Sequence, residues 1–249
     1  MSKVSIVIPA YNEQNRLPVT LRSVCNFFTT KGLDFEIVVV SDGSKDHTID
    51  VVNECANKHP QIRLIAYPVN RGKGFAIKTG VLSSVGQLIL IDDADGSSPI
   101  EEFDRLNNAI NNGAQLAIGS RAKPDPTCKV QALPYRTYIG NTFNHIVQSL
   151  LLPGIYDTQC GFKLFTKDVA QDIFSSCTID GYAFDVEILY LATQKKYRLQ
   201  EVSINWNNCA GSKVNIWVDS LKMLVEVLKI SWRAKQGKYS SSNLKQVNE

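Results

Sequence analysis

The sequence predicts an α/β fold in which a mostly parallel central sheet is flanked by helices. Short apolar runs alternate with segments in which apolar residues recur every three or four positions. This alternation is typical of β-α-β units, which build parallel sheets. Residues 35–40 are mostly β-branched, which indicates a strand that is buried on both faces. With 249 residues, the chain is long enough for one large compact core.

Each predicted element of the first half has its own signal. The strands are apolar runs bounded by turn-forming residues, and they lie at 4–9, 35–40, 62–66, 88–91 and 114–118. The helices show the three- and four-residue spacing, and they lie around 17–28, 49–56, 77–82 and 100–110. Pro9 ends the first strand, and Pro99 precedes the fourth helix, near whose start proline is favoured.

The second half is less regular. Residues 123–134 hold three prolines and are predicted to form a loop. Helices are predicted at 136–152 and 184–195, and strands at 161–165 and 198–206. From Lys235 the chain is polar, which predicts a disordered tail over residues 235–249.

A C-terminal amphipathic helix is predicted ahead of that tail. Its apolar stripe has lysines and arginines beside it and consists of Ile216, Trp217, Leu221, Leu224, Val225, Leu228 and Trp232. The pattern fits an interfacial helix lying on anionic lipid. It equally fits an ordinary helix whose apolar face packs on the core.

The composition argues against several classes of protein. A net charge of +3 is too small to suggest a nucleic-acid-binding protein. The sequence contains no run of about 18 apolar residues, so it predicts no membrane-spanning helix. The N-terminal residues lack the features of a secretory signal. The six cysteines are scattered without a C-x-x-C pair, which favours reduced thiols in a cytosolic protein over a zinc site.

Polar residues follow each of the five strands predicted in the first half. In open parallel sheets, ligands bind at this carboxyl edge, and here it carries residues 9–13, 41–46, 70–74, 92–95 and 119–121. Together they offer carboxylates for a metal and a sugar, and cations for phosphates. Asp93 and Asp95 are two residues apart and can point the same way toward a divalent cation. Alone, this pair is a weak signal for a metal site, because Asp and Gly are also common in surface turns.

Other nucleotide and hydrolase sites are disfavoured by their missing motifs. The sequence contains no G-x-x-x-x-G-K-[ST] loop, and no G-x-G-x-x-G follows the first strand. It also lacks the G-x-S-x-G elbow of many hydrolases.

In order and spacing, the chain resembles glycosyltransferase family 2, whose members have the GT-A fold, a Rossmann-like α/β architecture. The donor-half motifs are V-I-P-A-Y-N-E at 7–13, V-S-D-G-S at 40–44, N-R-G-K-G at 70–74 and D-A-D at 93–95. The segments at 157–165, 183–190, 202–206 and 211–213 resemble the dolichyl-phosphate β-glucosyltransferase branch. The resemblance covers residues 4 to about 232. It implies one domain over 1–234, with a donor half at 1–122 and an acceptor half at 123–234.

The chain departs from that branch in two places. Eukaryotic members carry an N-terminal membrane helix, whereas this sequence begins directly at the first strand, which leaves membrane anchoring and the acceptor open. Ser41 stands where many relatives have aspartate, although Asp42 is retained.

The resemblance implies inverting transfer of glucose from UDP-glucose, dependent on Mg²⁺ or Mn²⁺. It implies that Glu13 and Asp42 contact the uridine and that Arg71 and Lys73 lie near the nucleotide or its phosphates. The full set of implied donor contacts is Pro9, Tyr11, Glu13, Asp42, Arg71, Lys73, Asp93, Ala94 and Asp95. Asp95, together with Asp93, is the implied metal site.

The implied acceptor is a polyprenyl phosphate of the dolichyl type. A lipid phosphate is already an anion at neutral pH, so it needs positive charge rather than a general base. The candidate cations for that phosphate are Arg121, Arg136, Lys163 and Lys213. The candidate catalytic residues are Asp93, Asp95, Asp157 and Asp185.

Two other functions remain open from the sequence. One is a family 2 enzyme with a soluble hydroxyl acceptor, and the other is a non-catalytic module that binds nucleotide sugars. For the leading function we expect a cytoplasmic protein that is peripheral at the cytoplasmic face of a membrane and binds no nucleic acid.

Overall fold

The fold alternates strands and helices through the first half of the chain, as the sequence predicts. The computed structural model describes residues 3–209 and 216–239, apart from the side chains of 134–137 and 216–218. The strands in these residues are β1 Val4–Ala10, β2 Phe35–Asp42, β3 Ile62–Tyr67, β4 Leu88–Ile91, β5 Leu116–Ser120, β6 Val130–Gln131, β7 Lys163–Thr166, β8 Leu199–Ser203 and β9 Trp206–Asn207. The helices are α1 Leu17–Thr30, α2 Thr48–Lys58, α3 Lys73–Ser83, α4 Phe103–Asn111, α5 Pro134–Leu150, α6 Lys167–Ser176, α7 Phe184–Gln194 and α8 Ile216–Lys235. A short 3-10 helix at Ile100–Glu102 leads into α4.

Seven strands form the central sheet in the order β3-β2-β1-β4-β7-β5-β8. Six of them run parallel, and β7 lies antiparallel between β4 and β5. The two remaining short strands, β6 and β9, pair as a separate parallel ribbon. The predicted α/β class with a mostly parallel sheet is therefore confirmed.

The antiparallel strand β7 determines what lies beside the carboxyl end of β4. Lys163 begins β7 and pairs with Ile91, the last residue of β4. Because the two strands run in opposite directions, the residues just before Lys163 lie alongside those just after Ile91. This register brings the segment before β7 next to the predicted metal-binding aspartates.

Alternate residues of β1 and β2 pack into two apolar layers on the two faces of the sheet. Val7 and Val40 belong to the layer that contains α3, α6 and α7. Ile8 and Val39 belong to the layer that contains α1 and α4. Every residue of β2 is buried, which explains its almost continuous apolar sequence.

Three features of the second half differ from the sequence prediction. Helix α6 is not predicted, although its buried residues Val169, Ala170, Ile173 and Phe174 have helical spacing. The predicted loop at 123–134 contains β6. The predicted strand at 198–206 is two strands, because the chain leaves the central sheet after β8 and pairs with β6 through β9.

The predicted start of the disordered tail at Lys235 is too early. Four residues after Lys235, the aromatic ring of Tyr239 is buried in the core and lies edge-to-face with Tyr190, with ring centroids 5.5 Å apart. Burial of this aromatic ring holds residues 236–239 against the fold. Residues 240–249 lie outside the described part of the chain.

The C-terminal helix α8 has two apolar faces. Its core face consists of Met223, Val227 and Ile230. Most of the predicted stripe lies elsewhere: Leu221, Val225, Leu228 and Trp232 are exposed. Of the two interpretations of this stripe, packing on the core is therefore wrong for these four residues. No helix in the described residues is both long and apolar enough to cross a bilayer.

We predict that Gly80→Ala lowers the free energy of unfolding by about 1–3 kcal/mol. A Cβ at this position of α3 would lie 2.4 Å from Val7 Cγ1 and 3.0 Å from Val40 Cγ2, so the helix would have to move off the sheet. Urea unfolding measures the effect. The matched control is Gly140→Ala on α5, where a Cβ meets nothing within 4 Å and helix propensity predicts a gain of about 0.5–1 kcal/mol. Equal stability of Gly80→Ala and wild type would contradict the prediction.

Candidate active site

A cavity of about 230 Å³ opens at the carboxyl ends of β1 to β4. We call it the donor cavity. The predicted donor residues that line it are Pro9, Tyr11, Glu13, Asp42, Lys73, Asp93, Ala94 and Asp95. They come from four different strand ends, so the sheet topology assembles them as predicted. Arg71 is the one predicted donor residue that does not line this cavity.

Lys73 and Asp93 form an ion pair, with 2.6 Å between Lys73 Nζ and Asp93 Oδ1. Burial opposes the charged form of Lys73, but the neighbouring carboxylates outweigh burial and raise the pKa of the amine. Burial likewise opposes ionisation of Asp93, but Lys73 outweighs it and lowers the pKa of the carboxyl. A Cβ at Gly161 would lie 2.3 Å from Asp93 Oδ2. A side chain at position 161 would therefore clash with the Asp93 carboxylate, and glycine avoids this clash.

Asp95 lies between two groups that orient it. Its Oδ1 accepts a hydrogen bond from Ser97 N at 3.0 Å, and its Oδ2 lies 3.7 Å from Arg16 Nη1. Arg16 also donates to both carboxylate oxygens of Glu13, with Nε 2.7 Å from Oε2. Sequence reasoning missed Arg16, although the Glu13-x-x-Arg16 spacing at the start of α1 is typical of helical ion pairs.

Two predicted donor residues have structural contacts of their own. Asp42 accepts hydrogen bonds from Arg71 N at 2.7 Å and Gly72 N at 2.9 Å, so its carboxylate fixes the loop before α3. The guanidinium of Arg71 stacks on the ring of Phe75, 3.5 Å from its centroid. The expectation that Arg71 lies near the nucleotide or its phosphates stays a prediction.

A second cavity of about 510 Å³ adjoins the first, and we call it the acceptor cavity. The two cavities share Lys73, Asp93 and Tyr182. The acceptor cavity is largely apolar away from this junction, with walls from Val130, Leu133, Ile139, Phe143, Trp206 and Met223. Sequence reasoning missed Tyr182, which directly precedes the family-like segment at 183–190.

Arg121 and Asp157 form a two-pronged ion pair in the wall of the acceptor cavity. Arg121 Nε lies 2.7 Å from Asp157 Oδ2, and Nη2 lies 2.9 Å from Oδ1. Trp206 faces the guanidinium, 5.5 Å from its ring centroid. Burial would raise the pKa of Asp157, but Arg121 outweighs burial and lowers it to about 2. Nη1 of Arg121 has no hydrogen-bond or ion-pair partner among the described residues, so the cation can still bind an anion.

Asp185 lines the acceptor cavity, but Lys163 does not. Lys163 is fully buried, and its Nζ lies 2.5 Å from Asp185 Oδ1. Burial raises the pKa of Asp185, and the Lys163 ammonium offsets that effect only in part. The prediction that Lys163 contacts an acceptor phosphate is wrong, since Lys163 supports Asp185 from within the core. The other two predicted phosphate cations, the side chain of Arg136 and Lys213, lie outside the described residues.

The aspartates of the donor cavity fit a divalent cation that also binds a diphosphate. No group of three or more His, Cys, Asp or Glu residues arranged to hold a metal occurs in the part of the chain that the structure describes. The carboxylates that the described residues offer to the donor cavity at the end of β4 are those of Asp93 and Asp95, and Asp93 Oδ1 already pairs with Lys73. Mg²⁺ is commonly held by one or two carboxylates plus substrate phosphates. Asp95 is the better ligand of the two.

The sequence pattern of glycosyl transferase family 2 matches residues 5–174. The chain belongs to this family. A dolichyl-phosphate beta-glucosyltransferase of Dictyostelium discoideum is 38% identical over 242 residues, covering 92% of this chain and 74% of the relative. The Homo sapiens dolichyl-phosphate beta-glucosyltransferase is 36% identical over 259 aligned positions, covering 99% of this chain and 80% of the relative.

A solved structure matches this chain at the level of the fold. Glucosyl-3-phosphoglycerate synthase from Mycobacterium tuberculosis, in complex with Mn²⁺, UDP and glucosyl-3-phosphoglycerate, matches with a TM-score of 0.71. The match covers 92% of this chain and 80% of that chain at 16% sequence identity. It confirms the predicted GT-A fold of this family 2 glycosyltransferase.

We predict that Asp157→Asn destabilises the protein by about 2 kcal/mol at neutral pH. The pKa of Asp157 is lower in the folded state than in the unfolded chain, so its contribution is present above about pH 4 and is lost as the pH falls toward about 2. Asparagine resembles the protonated acid, and the deficit should therefore shrink over that range in urea unfolding curves.

The control for this pH series is Asp172→Asn. Asp172 pairs with Lys195 at 2.6 Å but is largely exposed, and surface pairs contribute at most about 1 kcal/mol. A deficit for Asp157→Asn that stays constant from neutral to acidic pH would refute the assignment.

Proposed function

We propose that the protein transfers glucose from UDP-glucose to a polyprenyl phosphate of the dolichyl type, with inversion and with Mg²⁺ or Mn²⁺. The observation that carries this proposal is the junction of the two cavities at Lys73 and Asp93. One cavity offers carboxylates and a cation suited to a sugar nucleotide. The other is apolar and holds a cation that can still bind an anion. The relatives named dolichyl-phosphate beta-glucosyltransferases support the same donor sugar and acceptor class.

In the donor cavity, Asp95 and Asp93 would hold the divalent cation. When bound, such a cation neutralises the charge that develops on the departing diphosphate. Lys73 adds a second positive charge at the junction of the two cavities. The sugar would lie at this junction, because there the diphosphate on one side and the acceptor on the other can both meet it. Its ion pair with Asp93 keeps the amine protonated and in place.

The transfer itself needs no proton removal from a phosphate acceptor. A phosphate oxygen forms a bond to glucose C1 from the face opposite UDP, while the bond from C1 to the UDP oxygen breaks and UDP leaves with the electron pair. Arg121 would orient the incoming phosphate through the part of its guanidinium that Asp157 leaves open. Asp185 would then contribute to the electrostatic potential of the acceptor cavity and would not act as a base.

Helix α8 supports placement of the enzyme on a membrane surface. Leu221 and Trp232 are 65% and 59% exposed, and with Val225 and Leu228 they form one stripe along the helix. Lys222 and Lys229 are exposed on the same helix, so apolar burial and attraction to anionic lipid act together. Met223, on the core face of α8, lines the acceptor cavity. A lipid acceptor would therefore enter close to this helix.

The cytoplasmic face of the membrane is the side we propose. All six cysteines are free thiols, and such thiols persist in a reducing compartment. Burial raises the thiol pKa of five of them, namely Cys25, Cys55, Cys128, Cys160 and Cys177, and a raised pKa lowers the reactivity of a thiol.

The reaction is tested by incubating the protein with labelled UDP-glucose and polyprenyl phosphate. We expect label in the butanol phase, and Asp95→Asn should lower turnover about 100-fold because it weakens charge stabilisation at the diphosphate. The matched control is Asp104→Asn, which removes only a surface ion pair with Lys31. Label found solely on a soluble hydroxyl acceptor would replace the lipid acceptor, and UDP binding without turnover would favour a binding module.

The membrane placement is tested by sedimenting the full chain with vesicles that contain phosphatidylserine. We predict that Leu228→Glu weakens vesicle binding about tenfold or more, since a fully buried leucine contributes about 1.5–3 kcal/mol. The control is Val19→Glu on α1, which alters a residue of similar exposure at 67%. Equal binding of Leu228→Glu and wild type, or an equal loss in both variants, would argue against α8 as the lipid-facing surface.

A further inference from the structure

A buried carboxylate that the proposed transfer does not use binds the segment that leads into the donor cavity. Glu187 of α7 is fully buried. Its Oε2 accepts hydrogen bonds from Thr178 N and Ile179 N, both at 2.8 Å. Its Oε1 accepts from the Thr178 hydroxyl at 2.6 Å and the Tyr239 hydroxyl at 2.8 Å. A buried charge is tolerated when it is fully hydrogen-bonded, and these four donors all come from outside α7.

Thr178 begins a stretch of residues, 178–183, that we call the bridging segment. Gly181 and Tyr182 in this segment line the donor cavity. Phe75 N donates to Asp180 O at 3.2 Å, and a Cβ at Gly72 would lie 2.3 Å from that oxygen. The bridging segment therefore packs directly on the loop and helix start that carry Lys73.

Helix α8 and the turn after it hold the same segment. Ala183 N donates to Glu226 Oε2 at 3.1 Å, and Arg233 Nη1 donates to the Thr178 hydroxyl. The chain then turns so that the Tyr239 ring is buried and its hydroxyl reaches Glu187. Residues distant in sequence thus fix both ends of the bridging segment.

We propose that Tyr239, acting through Glu187, is a positioning residue for the nucleotide site. Without the Tyr239 hydroxyl, Glu187 Oε1 loses a donor and its hold on Thr178 weakens. Nucleotide binding would then have to order the bridging segment, which lowers affinity. The inference rests on the proposed function only in taking the ligand of the donor cavity to be a uridine diphosphate.

The test is the affinity of the full-length protein for UDP with Mn²⁺, measured by isothermal titration calorimetry. Tyr239→Phe removes the hydroxyl and keeps the ring, and we expect the Kd for UDP to rise about tenfold. The control is Tyr197→Phe, because Tyr197 also donates to a carboxylate, Asp172 Oδ2, at 2.6 Å but touches neither cavity. The control should keep the wild-type Kd to within about twofold. A purely structural role for Tyr239 predicts a lower Tm with an unchanged Kd, which would overturn the proposal.

Amide hydrogen exchange without nucleotide provides a second readout that does not depend on which ligand binds. The amides of Thr178 and Ile179 should exchange faster in Tyr239→Phe than in wild type, and Thr178→Val should reproduce the effect by removing the other donor to Oε1. Unchanged exchange in both variants would overturn the positioning role even if UDP fails to bind. Failure of wild type to bind UDP, with faster exchange in the variants, would count against the proposed function and not against Tyr239.

Discussion

The antiparallel pairing of β7 with β4 is the constraint on which the arrangement of the site depends. Because Lys163 pairs with Ile91, the chain entering β7 runs past the chain leaving β4, and Gly161 meets Asp93. In a fully parallel sheet, the neighbouring strand would instead place the residues after its own carboxyl end beside these aspartates. The inserted strand therefore joins residues of the acceptor half to the donor carboxylates and makes one junction from two cavities.

Paired charges keep this junction both polar and stable. Lys73 pairs with Asp93, Arg121 with Asp157, and Lys163 with Asp185. Buried charges are tolerated when each has a partner and further hydrogen bonds. The pairs differ in exposure, which separates their roles. Arg121 keeps donors open toward the acceptor cavity, whereas Lys163 is wholly enclosed and binds both Asp185 and the carbonyl oxygen of Cys160.

The sequence predicts the parts of the site that follow from strand topology. Glu13, Asp42, Lys73 and Asp95 come at the ends of parallel strands, and such ends share one edge, so their convergence needs no tertiary information. Lys163 shows what the sequence does not predict. It lies in an apolar run, but the direction of its amine depends on Asp185, its partner 22 residues away in sequence. Sequence reasoning missed Arg16 and Tyr182 because their neighbours in the site are distant in sequence. It missed the turn at 236–239 because this segment is polar except for Tyr239, whose burial the composition does not indicate.

Helix α8 has three features that bear on the proposed transfer to a lipid acceptor. Its outer stripe is apolar and exposed, its core face contributes Met223 to the acceptor cavity, and Glu226 and Arg233 bind the bridging segment beside the donor cavity. In the proposed placement on a membrane, a lipid phosphate at the bilayer surface meets a sugar nucleotide that comes from water. Because α8 lines the acceptor cavity and holds the bridging segment beside the donor cavity, the lipid side and the nucleotide side of that proposed reaction are attached to the same rigid element.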